Sequence, residues 1–257
     1  MTLAGSEPSP RCPSWPPRSS SRCAHRLDLE RSILWAGLRA AVQLVAVGLL
    51  FTVIFSSAQA TAWAWVWVVG MTILSAEVVA RRAVGVPKIR QFSLLALSGA
   101  VAITVGLIFG LGVFDLEPVV LVVIAGITLG NMLPAAVQAA QTIKQQLADH
   151  PGQIEVLLAL GFDKTGATKE LSRAAVRTAL VPQIERTKVI GLIALPGTMT
   201  GMLLAGAEPI NAVLAQLVIT YLVLGSVGVA ASAIVAMAAN RSFTRDLRLA
   251  DWAKPGR

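Results

Sequence analysis

Six long apolar segments, separated by shorter polar ones, constrain this chain more than any other feature of its sequence. A hydrocarbon core of about 30 Å is crossed by about 20 helical residues, each of which rises about 1.5 Å. Five of the segments reach that length easily, and the fifth in chain order is the shortest. The six predicted spans are 33–55, 61–80, 92–114, 119–140, 189–206 and 210–238.

The composition of the chain also favours lipid over water as its surroundings. Of its 257 residues, 55% are hydrophobic and only 14% are charged, whereas a soluble domain carries about 25% charged residues. The mean hydropathy is +0.68. We therefore predict an all-α fold, a polytopic helical membrane protein with six transmembrane helices.

The basic residues alternate along the chain in a way that fixes the predicted orientation. Of the 22 Lys and Arg residues, all except Arg39 lie before the first span, in the second or fourth connection, or after the last span. Because Lys and Arg favour cytoplasmic loops, we predict that both termini are cytoplasmic and that the protein is multi-pass in the cytoplasmic (plasma) membrane. The same bias accounts for the net charge of +8, so no nucleic-acid partner is expected.

Three regions follow from this pattern. Residues 1–32 form a polar Pro/Ser/Arg-rich tail that is expected to be disordered. Residues 33–239 form the transmembrane domain, which includes a cytoplasmic loop at 141–188, and residues 240–257 form a basic cytoplasmic tail. Within the loop, two short amphipathic helices are predicted at 152–160 and 168–181. The second should end before Pro182 and lie on the bilayer surface.

Polar side chains within the predicted spans are few. Arg39 and Glu77 are charged, and a charge in lipid is costly enough to be a functional candidate. A structural Arg39–Glu77 salt bridge is the favoured interpretation of this pair, and a role in the transport path is the alternative. Gln43 and Asn131 are expected to form hydrogen bonds between helices, with a place in the path as their alternative.

The short fifth span contains a proline and three glycines before its end, so it is expected to be kinked or partly unwound. Non-helical backbone at membrane depth survives only against protein or a water-filled cavity, and it often marks a substrate site in transporters. The candidates for a transport path or broken helix are Pro196, Gly197, Met199, Gly201, Asn131 and Met132. Thioethers suit soft metals, although methionine more often fills a core, and the metal ligands stay unknown.

Several stretches of the chain together carry a resemblance to a known family. They are Arg39-Ala40-x-x-Gln43-Leu44, Ala125-Gly126-x-x-x-Gly130-Asn131-Met132, Arg177-x-Ala179-Leu180-x-Pro182, Gly191-Leu192-x-x-Leu195-Pro196-Gly197-Thr198-Met199-Thr200-Gly201 and Ala205-Gly206-x-x-Pro209. These stretches resemble the Fet-type iron-export ABC transporter permease family, whose relatives include plant aluminium-tolerance permeases. The resemblance implies a permease subunit that pairs with a separate ATP-binding subunit, and metal export in bacterial members.

The loop segment from Glu155 to Gly161 resembles the cytoplasmic coupling helix of ABC permeases, which docks into a groove of the ATPase subunit. The resemblance implies ATPase-coupling roles for Glu155, Ala159, Gly161 and Arg177. The chain has no G-x-x-x-x-G-K-[ST] phosphate loop. We therefore expect no cofactor in this chain, ATP-Mg on the partner subunit, and a homodimer of the permease, because six spans are few for a whole pathway.

Two departures from the family pattern accompany the resemblance. Family members usually have an additional transmembrane helix before the segment that leads to Ile33, where this chain has its Pro/Ser/Arg-rich tail. Val123 and Ile127 stand where the family has proline and methionine.

The predicted function is the transmembrane permease subunit of an ABC transporter that exports a metal ion such as iron, with no enzymatic activity of its own. The alternative is an ion-driven secondary transporter of a small solute. That alternative needs ionisable residues deep in the membrane, for which Arg39 and Glu77 are the candidates within the predicted spans. An intramembrane enzyme is disfavoured, because the spans contain no His/Asp/Glu cluster and no Ser/His pair.

Overall fold

A computed structural model describes residues 30–244 and 248–254, so the predicted tail at 1–32 lies almost wholly outside the described residues. The described part contains no β-strand, only two isolated bridges. The helices are α1 (Glu30–Ser56), α2 (Ala60–Arg82), α3 (Ile89–Gly110), α4 (Pro118–Asp149), α5 (Pro151–Ala159), α6 (Lys164–Lys188), α7 (Gly197–Leu204) and α8 (Pro209–Arg241), followed by a 3-10 turn at Asp251–Ala253. The chain divides into two units, Met1–Val53 and Ile54–Arg257.

The first unit contributes most of α1, a continuous helix of 27 residues. Its segment Ile33–Ser56 has a mean hydropathy of 2.1, high enough for a membrane span. Arg39 and Gln43 are four residues apart and therefore lie on the same face of α1. The predicted Arg39–Glu77 salt bridge would join the two units, and it stays a prediction.

The second unit is built around α4 and α8. α4 packs against α2, α3, α6 and α8, and α8 packs in addition against α3, α6 and α7. Small residues fill these contacts, since Ala125, Ala136 and Ala140 of α4 and Ala231 and Ala238 of α8 are fully buried. In lipid, where burial of apolar surface does not drive association, such small residues let helix backbones approach closely.

The predicted fifth span, 189–206, is not a continuous helix. Its first half is a turn in which the Gly191 N–H donates to the Ala194 carbonyl at 2.9 Å. Its second half is α7, whose eight residues extend about 12 Å. Five helices in the described part of the chain are long and apolar enough to cross a membrane, so the predicted count of six is not confirmed. The expected unwinding is present before Pro196, which occupies the N-cap position of α7.

The prediction that a helix ends before Pro182 is wrong. α6 continues through Pro182 to Lys188, although an internal proline removes one hydrogen bond and costs about 3 kcal/mol or more. The packing of α6 explains this, because Ala175 and Ala179 are buried on a helix that contacts both α4 and α8. The basic stripe of this helix predicts a position on the bilayer surface. In the structure, α6 instead packs against both α4 and α8.

Two polar contacts hold the connection between α2 and α3 against α4. Gln141 Nε2 donates to the Arg82 carbonyl at 2.9 Å, and Lys144 Nζ donates to the Val84 carbonyl at 3.0 Å. Gly85 directly follows those acceptors and has a φ of +97°, a conformation that glycine adopts without steric penalty. The extension of α4 beyond its apolar part therefore fixes this loop.

The region predicted as a basic tail, 240–257, is partly folded in the described residues. α8 extends to Arg241, and Phe243 pairs with Leu249 in an isolated bridge. Phe243, Leu249 and Ala253 are buried, and the 3-10 turn packs against α4. The C-terminal segment therefore covers part of α4.

Candidate transport cavity and coupling helix

A cavity of about 540 Å³ lies between α4, α6, α8 and the segment that leads into α7. Aliphatic side chains and glycines of α4 and α8 form much of its wall. Polar residues complete the lining: Asn131, Gln183, Arg186, Thr198, Gln216 and Thr220. The second unit thus contains an open cavity in which polar side chains lie among apolar ones.

The cavity is lined by residues well inside two helices that are long and apolar enough to span a membrane. Asn131 follows Pro118, the first residue of α4, by thirteen positions, a distance of about 20 Å along the axis. Gln216 follows Pro209, the first residue of α8, by seven positions, or about 10 Å. Since a hydrocarbon core is about 30 Å thick, these residues are well inside helices that are able to span it.

Arg186 and Asn131 join α6 to α4 at this depth. Arg186 Nη1 donates to Asn131 Oδ1 at 3.0 Å, and Asn131 Nδ2 donates to the Ile127 carbonyl at 2.7 Å. A smaller space of about 270 Å³ continues along the same two helices, with Pro134 of α4 facing Pro182 of α6. The last turns of α6, predicted as part of a cytoplasmic loop, therefore lie beside the apolar part of α4.

Proline shapes the backbone on two sides of the cavity. Pro134 lies inside α4 and has no N–H, so the Gly130 carbonyl at the cavity wall lacks its usual helical donor. Pro196 precedes α7 without any side-chain cap on the first helical turn. Gly197 and Thr198, the first two residues of α7, line the cavity. The cavity wall therefore contains a backbone acceptor at Gly130 and backbone donors at the start of α7, in addition to its polar side chains.

Gln216 and Thr220 are the buried polar residues in the wall, and Gln216 has 9% of its surface exposed. Its Nε2 donates to Thr220 Oγ1 at 2.9 Å, one turn further along α8. Among the described residues, its Oε1 has no hydrogen-bond partner. A buried polar atom without a partner is costly, so it is a position where a ligand or water is expected to bind.

The structure brings together some of the predicted path residues and separates others. Asn131, Pro196 and Gly197 line the cavity. Met132 is fully buried in the helix packing. Met199 and Gly201 belong to α7 but are not among the lining residues. The described residues hold no group of three or more His, Cys, Asp or Glu side chains that would bind a metal.

Sequence reasoning missed Gln183, Arg186, Thr198, Gln216 and Thr220. Arg186 was counted among the basic residues of the loop, and Gln216 is a single amide in a long apolar segment. Pro182 was the available signal for the position of Gln183 and Arg186. A proline is tolerated inside a membrane helix where neighbouring groups satisfy its backbone.

The predicted coupling helix is α5, which ends in a tightly hydrogen-bonded corner. Gly161 has a φ of +89°, and its N–H donates to the Leu158 carbonyl at 3.0 Å while the Phe162 N–H donates to the Leu157 carbonyl at 3.1 Å. This pair of bonds is a Schellman motif, which terminates a helix at a glycine. Two residues later, Asp163 Oδ1 accepts from the Gly166 N–H at 2.7 Å and caps α6.

The outer face of α5 is apolar and exposed. Ile154 is fully buried and α5 packs against α6, whereas Val156, Leu160 and Phe162 are 59%, 70% and 52% exposed. Glu155 and Ala159 are exposed on the same short helix. We call Glu155, Val156, Ala159, Leu160 and Phe162 the α5 face.

Arg177 is not part of the α5 face. It lies thirteen residues after the start of α6, about 20 Å along that helix. There it lines a groove of about 590 Å³ between α6 and α8, together with Lys169 and Arg173. The structure therefore groups Glu155, Ala159 and Gly161 and places Arg177 elsewhere.

Glu77 forms ion pairs at the end of α2. Its Oε1 lies 2.9 Å from Arg81 Nε, and its Oε2 lies 3.2 Å from Arg90 Nε at the start of α3. Both arginines are largely exposed. The carboxylate thus links two consecutive helices next to their connecting loop.

Comparison with known proteins agrees with this architecture. Residues 21–243 match the model of UPF0014, described as an uncharacterised protein family. UPF0014 membrane protein slr1647 of Synechocystis is 33% identical over 77% of this chain and 78% of its own length. The "Probable iron export permease protein FetB" of Escherichia coli is 30% identical over 78% of this chain and 77% of its own.

A plant protein also matches, since UPF0014 membrane protein STAR2 of rice is 30% identical over 78% of this chain and 70% of its own length. No solved structure matches the chain. The family model covers most of the sequence, and the described structure is helical with several helices apolar enough to span a bilayer. The chain is therefore a multi-pass membrane protein that belongs to the UPF0014 family.

Proposed function

We propose that this chain is the transmembrane permease subunit of an ABC transporter, driven by a separate ATP-binding subunit. The observation that carries the proposal is the α5 face, a short helix with exposed apolar side chains and a rigid, capped end. Because exposed apolar patches on soluble segments commonly mark protein partners, this face suits a groove in an ATPase subunit.

The geometry provides a route from the proposed docking helix to the cavity. α5 packs against α6, and the corner between them is held by the Gly161 turn and the Asp163 cap. The other end of α6 carries Arg186 in the cavity wall. A displacement of α5 by the ATPase would therefore be passed along one helix to the polar space between α4 and α8.

A metal ion such as iron is the proposed cargo, and export is the proposed direction. The support is the similarity to the probable iron export permease of Escherichia coli, together with a cavity lined by residues of α4 and α8, two helices able to span a membrane. We also propose that two copies of the permease form the pathway, because one chain contributes few membrane spans. Chemical cross-linking in native membranes tests this dimer.

Co-purification tests the ABC assignment. The tagged full-length permease is purified from its native membranes, and the ATP-binding protein recovered with it is measured. We expect Leu160→Asp to reduce recovery strongly, because it places a charge on the α5 face. The control is Gln153→Asp, which adds the same charge at an exposed position of the same helix and should retain the partner.

Two results contradict this proposal. One is that no ATPase copurifies with the wild-type chain. The other is that iron efflux from cells proceeds undiminished after deletion of the ATP-binding subunit, which would instead support an ion-driven secondary transporter. Iron accumulation in cells that lack the permease but keep the ATPase measures the cargo separately.

A further inference from the structure

We propose that the cavity between α4, α6, α7 and α8 recognises an anionic oxygen group, a carboxylate or phosphate, on the transported solute. This inference rests on the proposed transport function and specifies its substrate class. A metal would then be carried as a negatively charged oxygen-ligand complex and not as a bare cation.

The charge of the lining favours an anion over a bare cation. Among the described lining residues, Arg186 is the only charged side chain, and no carboxylate or thiolate faces it across the cavity. The neighbouring Glu185 is paired with Lys188 at 2.7 Å. Because like charges repel and opposite charges attract, the exposed guanidinium of Arg186 disfavours a metal cation and attracts an anion.

Arg186 is held in a position to bind such an anion. Its guanidinium has five N–H donors, and one of them is given to Asn131. The remaining donors form a planar fork that matches the two oxygens of a carboxylate or phosphate. Asn131 itself is oriented by its bond to the Ile127 carbonyl, so the contact orients the arginine and leaves most of its donors available.

The start of α7 adds a second source of positive potential to the lining. Gly197 and Thr198 line the cavity, and the first turn has no side-chain cap. The first N–H groups of a helix have no partner within the helix, and they favour anionic groups. Broken helices in transporters use the same arrangement at membrane depth.

Gln216 provides a further observation that points to a ligand in this cavity. It is 9% exposed, lines the cavity, and keeps an Oε1 without a partner among the described residues. A ligand that carries a hydroxyl or a bound water beside its anionic group would satisfy that oxygen. The expected solute class is therefore a hydroxylated carboxylate or phosphate, free or as a metal complex.

Isothermal titration of the full-length chain in lipid nanodiscs tests the inference. The probes are ferrous iron alone, inorganic phosphate, citrate, and tricarballylate, which is citrate without its hydroxyl. Citrate and phosphate distinguish the two anion sources, and citrate against tricarballylate measures the hydroxyl contact. We expect at least one anion to bind, and iron alone to bind more weakly.

Arg186→Gln should raise the Kd of the bound anion about tenfold or more, since it removes a charge-assisted pair. Arg186→Lys keeps the charge without the fork and should give an intermediate Kd, which separates recognition from misfolding. The matched control is Arg173→Gln, an exposed arginine on the same helix outside this cavity, which should leave the Kd unchanged.

The inference is overturned if no anion binds the wild-type chain, if iron alone binds as tightly as the anions, or if Arg186→Gln leaves anion binding unchanged. Each of these results leaves ATPase co-purification unaffected. Loss of the ATPase partner with intact anion binding would overturn the proposed ABC function instead, so the two failures are distinguishable.

Discussion

Arg186 Nη1 donates a 3.0 Å hydrogen bond to Asn131 Oδ1, across 55 positions of sequence. The contact ties the last turn of α6 to α4 about 20 Å from the start of α4. α6 begins at the corner with α5, so this one pair connects the proposed ATPase docking helix with the polar cavity. Its energetic and functional roles are separable by mutation.

Replacing Asn131 by alanine should reduce transport several-fold with little loss of stability. The substitution removes the acceptor that orients Arg186, whereas hydrogen bonds between membrane helices contribute only about 1 kcal/mol. Metal efflux and thermal unfolding of the purified chain measure the two effects. Thr142→Ala, which removes the acceptor of an exposed bond on the same helix and lies outside both spaces, should change neither. Normal efflux by Asn131→Ala would show that the contact is dispensable.

A substitution at Gly161 should uncouple ATP hydrolysis from transport. Gly161 has a φ of +89°, and an alanine in that conformation costs about 1 kcal/mol, so the corner between α5 and α6 should loosen without global unfolding. We expect Gly161→Ala to lower solute-stimulated ATPase activity while the complex still forms. Gly152→Ala, in the first turn of α5 where the added Cβ meets nothing, is the control. Equal ATPase stimulation in both variants would refute the coupling role.

The sequence predicted the helical architecture well, because whether a segment forms an apolar helix able to span a membrane depends on its local composition. Most of the apolar windows became single helices, such as 92–114, which corresponds to α3 at Ile89–Gly110. The helix proposed for docking was also predictable, since a glycine just beyond a helix end is a local signal, and α5 ends at Ala159, two residues before Gly161.

The cavity was less predictable, because its walls depend on contacts between distant segments. The alternation of basic residues placed Arg186 with the loop, whereas packing of Ala175 and Ala179 carries α6 past Pro182 towards Asn131. Gln216 resembles any isolated amide in an apolar helix until the structure shows that Oε1 has no partner within the described residues. Neither the Arg186–Asn131 contact nor the unpartnered Gln216 oxygen can be read from a single sequence.

Glu77 should behave as a structural residue of the α2–α3 pair. Its carboxylate pairs with the largely exposed Arg81 and Arg90, and exposed ion pairs contribute little to stability. We expect Glu77→Gln to lower the melting temperature slightly and to leave efflux intact. Glu170→Gln, which breaks the exposed pair with Arg173 on α6, is the comparison. Complete loss of efflux in a folded Glu77→Gln protein would instead place this carboxylate in the transport path.

Pro182 should matter for the position of Arg186 more than for folding. Alanine at 182 restores an N–H that can bond the Thr178 carbonyl, so the free energy of unfolding should be unchanged or increased. The restored bond should also straighten α6 and move its last turn relative to Asn131, which lowers efflux. Pro118→Ala is the matched control, because a proline in the first turn of α4 interrupts no helical hydrogen bond. Thermal unfolding and efflux are measured on both variants. A Pro182→Ala protein with lower stability and normal efflux would show that the proline supports folding and does not position the arginine.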